Sequence, residues 1–219
     1  QDKKKSYLNF LFYKMGDFSL TTFSSKGKLL QIEYALEAVK NGETAIGIKV
    51  KDGVVIAVEK KPPSLLIDES SYSKVQNISA HIGATYAGIG PDYRVLLQKA
   101  RKESQKYFLQ YMESMYVSSL ARETAQIVQE FTQSGGVRPF GCSVLLAGHD
   151  EEGGHLYQID PSGAFYEWKA TAIGKNMDSA KNFLEKNYNA DIQMDEAIQS
   201  ALKGLKEGFQ GQMNKNNVE

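Results

Sequence analysis

Thr44 stands at the head of an apolar run, Ala45 to Val50, with Lys49, Glu59 and Lys60 close by in sequence. A threonine hydroxyl cuts peptide bonds only when a base takes its proton, and one effective base is the threonine's own free α-amine. That amine titrates near pH ~8, so it accepts the proton at neutral pH. The arrangement demands that the threonine be the first residue of the working chain, and here 43 residues precede it. A β-branched residue that opens a strand after a helix stop needs no catalytic explanation. The two readings are thus a threonine peptidase processed near Thr44 and a threonine that only begins a strand.

Other residues with chemical potential are fewer. His81, His149 and His155 share no i,i+4 spacing and have no cysteine close by in sequence, which predicts structural or surface roles and no metal site. Cys142 is the single cysteine, so an internal disulfide and a cysteine zinc site are both excluded. "GIGPDY", from Gly88, begins like a dinucleotide loop but carries Tyr93 where the third glycine belongs. A strand-to-helix turn accounts for it, and no cofactor is expected. "TQSGGVRPFG", from Thr132, places Arg138 on a turn stiffened by Pro139. Arg138 is either a surface arginine after a helix cap or a fork donor for a partner's carboxylate or carbonyl.

The elements that would position these residues follow from the apolar period. Leu29, Ile32, Leu36 and Val39 recur at helical spacing before the stop signal Asn41-Gly42. "TAIGIKV" and "GVVIAVE" read as a hairpin turning at Asp52-Gly53, and "HIGATYAG" as another strand. Pro91-Asp92 opens a long helix, and a second helix stops at Gly135-Gly136. The strands "FGCSVLLAG", "HLYQID" and "AFYEWKATAI" come next, then two helices around Leu184 and Leu202. Antiparallel strand groups alternating with helix pairs predict an α+β fold: two stacked sheets with a helical layer outside each. The chain reads as one domain from residue 15, preceded by a tail of about fourteen residues.

The 26 basic and 26 acidic residues cancel, so no net field draws the chain to nucleic acid or to a membrane surface. Neutrality also resists association weakly, which suits a subunit. The segment "QDKKKSYLNFLFYKM" is too short in its apolar core for a secretory leader, and an intracellular protein is expected.

At "SLTTFSSKGKLLQIEYALEAV", Ser19 to Val39, the sequence resembles the amino-terminal signature of proteasome α-type subunits. "GVVIAVEKK", "TQSGGVRPFG", "DPSGA" and "KATAIGKN" resemble the same family in the same order. The resemblance implies a four-layer αββα sandwich like that of amino-terminal-nucleophile hydrolases. It implies a non-catalytic place in a seven-membered α ring, with other α subunits, β subunits and activator particles as partners. That complex degrades proteins, including ubiquitin-tagged ones, in cytoplasm and nucleus. The nucleophile position of the catalytic relatives matches Glu43, which cannot do that chemistry. The family's gate cluster of tyrosine, aspartate, proline and tyrosine falls on Gly16, Asp17, Ser25 and Tyr34, so two of the four are replaced. Asp17 and Tyr34 remain as contacts to neighbouring subunits. An activator pocket is implied at Lys74, with Gly88 giving close backbone approach. The family continues beyond "NNVE" into further strands and a helix, so a sandwich ending there is expected to leave strand edges unpaired.

Overall fold

The computed structural model describes residues 22–219 apart from residues 63, 65, 69, 70 and 210. A turn at Ser24–Lys28 leads into α1 (Leu30–Lys40). There follow β1 (Ala45–Val50), β2 (Gly53–Val58), the short β3 (Gln76–Asn77) and β4 (Ile82–Gly88). The helices α2 (Gly90–Tyr111) and α3 (Val117–Gln133) come next. The chain then forms β5 (Cys142–Asp150), β6 (Gly153–Ile159), β7 (Phe165–Glu167) and β8 (Ala170–Ile173). It closes with α4 (Met177–Asn187) and α5 (Met194–Lys206).

Among the described residues two antiparallel sheets form, ordered β2-β1-β8 and β3-β4-β5-β6-β7. They stack on one another, with α4 and α5 outside the first and α2 and α3 outside the second. The layering is the αββα sandwich that the alternation of strand groups and helix pairs predicts. Strand periodicity explains how β1 serves two cores at once. Ile46 and Ile48 face Ala197, Ala201 and Leu205 of α5. Ala45, on the opposite face, packs with Val39, Val58, Ala87, Leu145 and Ile173 between the sheets.

Two sequence expectations need correction. The first hairpin turns at Lys51-Asp52, not Asp52-Gly53, because Gly53 is already paired with Val50 in the ladder. "AFYEWKATAI" is not one strand. β7 pairs with β6 in the larger sheet, whereas β8 pairs with β1 in the smaller, in register Ala45↔Ile173. The chain changes sheets within Trp168-Lys169: the Trp168 N–H donates to Leu156 O at 2.8 Å, and the Lys169 carbonyl accepts from Lys49 N at 2.8 Å. Strand-favouring aromatic and β-branched residues on both sides of Trp168-Lys169 hide the break. At the outer edge of β2, residues 217–219 pair antiparallel with Val58–Lys60.

Candidate functional site

The turn before α1 is closed locally. The Ser24 N–H donates to Lys28 O at 2.8 Å, and the Lys28 N–H donates to Ser24 Oγ at 3.1 Å. Gly27 supplies the left-handed residue, and Ser25 occupies the position matched to proline. Helix α1 then buries only Ala35 and Val39, leaving Tyr34 61 % exposed on its outer side.

The helix is joined rigidly to β1. The Gly42 N–H donates to Val39 O at 2.9 Å, and the Gly42 carbonyl accepts from Lys175 N at 2.7 Å. Thr44 is 3 % exposed, and its carbonyl accepts from Glu59 N at 2.9 Å. Its nitrogen is an amide in a continuous, packed chain. The charged residues close to it in sequence are engaged elsewhere. Lys49 Nζ pairs with Glu167 at 2.8 Å, and Lys60 Nζ lies over the Tyr72 ring.

The buried cation of this region is Lys74, 0 % exposed. Its ammonium donates to Glu43 Oε2 at 3.1 Å and to Glu59 O at 3.3 Å, and lies 4.9 Å from the centre of the Tyr86 ring. Burial lowers the lysine below its ordinary range, and Glu43 opposes that shift without cancelling it. The Tyr86 phenol is pushed up to about 12, chiefly by burial, and its ring stacks on Tyr93 at 4.3 Å. Glu219 clamps the same loop, accepting from Lys74 N at 2.8 Å and from the Ser73 hydroxyl.

Gly88 meets this cluster from the other side. A Cβ on Gly42 would lie 2.1 Å from Gly88 N, and a Cβ on Gly88 would lie 2.3 Å from Gly141 O. Three backbones therefore touch where α1 ends, β4 ends and β5 begins. Gly88 thus closely approaches the backbone of Gly42 and Gly141. Arg138 connects to the same junction. Its guanidinium forks onto Asp92 at 2.6 and 2.9 Å, and Asp92 Oδ2 also accepts from Gly141 N at 2.9 Å. Burial pushes the Asp92 carboxyl up, but Arg138 and the Gly141 N–H outweigh it and hold the group below the usual carboxylate range. Lys74, Gly88 and Arg138 thus share one connected region, Tyr34 lies apart on α1, and Asp17 lies outside the described residues. Sequence reasoning missed Asp92 and Glu219. Asp92 sits 46 positions from Arg138, and nothing in local spacing joins them.

Residues 39–219 match the proteasome subunit family, and residues 17–38 match the amino-terminal signature of proteasome A subunits. The chain belongs to the proteasome subunit family. Among its relatives, proteasome subunit alpha type-2 of Dictyostelium discoideum is 60 % identical over 202 residues, 92 % of this chain and 87 % of the relative. The alpha type-2 subunit of Oryza sativa subsp. indica is 56 % identical over 209 residues, 94 % of this chain and 89 % of the relative. That of Trypanosoma brucei brucei is 54 % identical over 202 residues, with 92 % and 87 % covered. In this proteasome subunit the boundary between the two matched regions falls at Val39, the helix residue that enters the core between the sheets. The signature thus covers the turn and most of α1, where Ala35 is the buried residue among those described.

Proposed function

We propose that this chain is a non-catalytic subunit of the α ring of the 20S proteasome, working in ring assembly, substrate entry and activator docking during protein degradation. The non-catalytic assignment rests on one observation. The residues before Thr44 are packed into the domain: Gly42 is hydrogen-bonded to Val39 and Lys175, and Val39 is buried between the sheets. Freeing an α-amine at Thr44 for use as a base would strip a built-in helix end from the core. Mass spectrometry of the intact chain, released from assembled particles, tests this. The expected mass retains the residues before Thr44. A chain beginning at Thr44 would replace this reading with the active peptidase.

The partners under this proposal are other α subunits in a seven-membered ring, β subunits and activator particles, in cytoplasm and nucleus. Tyr34 supports a gate contact because its phenol stands open on α1, and Asp17 takes the same role from its place in the matched signature. Arg138 supports an inter-subunit contact because its side chain is 59 % exposed even while it holds Asp92. At Lys74 and Gly88, an activator's carboxyl terminus exchanges with Glu43 as the partner of the ammonium. Glu43 is the more open half of that pair, which supports exchange from its side. Particles containing this subunit should bind an activator-tail peptide with a free carboxylate and lose that binding when the tail is amidated. Equal binding by both peptides removes the pocket role.

A further inference from the structure

His155, Asp150 and Glu152 meet at the tip of the β5–β6 hairpin, with donor atoms all within 4.8 Å of one another. None of them takes part in the features described above. His155 is 8 % exposed, and its Nδ1 lies 2.9 Å from Glu167 Oε1. A carboxylate only accepts, so Nδ1 bears a proton, and in the neutral ring this places the lone pair on Nε2. Nε2 is buried and makes no hydrogen bond, although Asp150 Oδ1 stands 3.2 Å away. A proton on Nε2 would not point along that line. A cation set to one side of it would touch both atoms.

The spacing fits such an ion. Two donors bound at about 2.1 Å in a tetrahedral shell stand about 3.4 Å apart, close to the separation found. The supporting shell is also built. Lys49 donates to the same Glu167 oxygen at 2.8 Å, and Tyr157 donates to the other at 3.4 Å. Asp150 is held by the N–H groups of Glu152 and Val117, both at 3.0 Å. The charges favour a divalent ion: Lys49 pairs with Glu167, while Asp150 and Glu152 add two further carboxylates beside His155. Glu152 is exposed in the two-residue loop and can close onto an ion without moving the sheet.

We propose that this hairpin tip is a divalent-cation site, with His155 Nε2, Asp150 and Glu152 as ligands and Glu167 orienting the imidazole. One nitrogen and two oxygens suit zinc, with water completing the shell. A bound ion ties β5 to β6 and, because Asp150 also caps the first N–H of α3, steadies the start of that helix.

Zinc titration of the chelator-treated chain, read by calorimetry and by competition with a chromophoric chelator, tests the proposal. One zinc per chain is expected, with a rise in melting temperature. Glu152→Gln is the decisive variant because its side chain is exposed, and it should weaken binding at least about tenfold, with Glu167→Gln losing about 10- to 100-fold through the imidazole. Glu151→Gln removes the same charge one residue away and should bind as the parent does. Nitrogen NMR should show His155 Nε2, not Nδ1, shifting on zinc addition. No stoichiometric binding, equal losses from Glu151→Gln and Glu152→Gln, or a His155 ring that stays doubly protonated would each overturn the site.

Discussion

Replacing Glu43 with glutamine should cost the folded chain about 3 kcal/mol near neutral pH, the lower end for breaking a buried ion pair. The lower end applies because the Glu43 side chain is 32 % exposed and water already screens the pair. Lys74 would remain buried with the Glu59 carbonyl and the Tyr86 ring for company. The cost depends on pH in a definite direction. Burial already holds Lys74 below the ordinary 10.5, and losing Glu43 lowers it further. Between its folded value and 10.5 the unfolded chain holds a proton that the folded chain has released, so stability rises with pH across that window. Urea midpoints taken near neutrality and again at about pH 9 should therefore show the variant's deficit shrinking at the higher pH. A deficit that is constant or grows would mean that Lys74 is not the group left stranded.

Gly88→Ala should be more damaging, at about 4 kcal/mol or above, a size reached only through a specific structural conflict. Its φ of +109° is strained for any side chain, and the new methyl would sit 2.3 Å from a backbone oxygen that cannot turn aside. For a domain of this size that loss lowers the melting temperature by roughly 10 °C, or prevents recovery of folded chain. Gly136→Ala is the matched control. Its φ is +76° with nothing within 4 Å, so only the left-handed backbone is penalised, at about 1 kcal/mol. Similar melting temperatures for the two variants would refute the three-backbone junction.

The sequence makes the elements far more legible than their meetings. Helix α1, the first hairpin and the long helix opened by Pro91 are each specified by residues within one or two turns, so period and punctuation find them. The sandwich follows from the grouping of strands and helices. The contents of the site depend on distant pairs. Lys74 reads as an ordinary surface lysine because lysine is rarely buried without a partner, and its partner lies 31 positions earlier. Gly88 is visible as a glycine needing space, but what occupies that space, Gly42 and Gly141, emerges only once three elements converge. The hairpin-tip cluster fails every helical metal spacing because its ligands are brought together by a turn. Resemblance supplied the register of Lys74, Tyr34 and Glu43, which periodicity could not.

The crossing from β7 to β8 has a consequence for how the protein is made. β1 is the central strand of its sheet, yet one of its two partners, β8, is encoded more than a hundred residues later. At roughly 5–20 residues per second, synthesis leaves that edge of β1 waiting for about 6 to 23 seconds after the first hairpin emerges. During that interval Ile46 and Ile48 also lack α5, whose face covers them in the finished domain. The smaller sheet therefore cannot close cotranslationally from its amino-terminal end, and the nascent chain carries an open apolar strand until its last third is made.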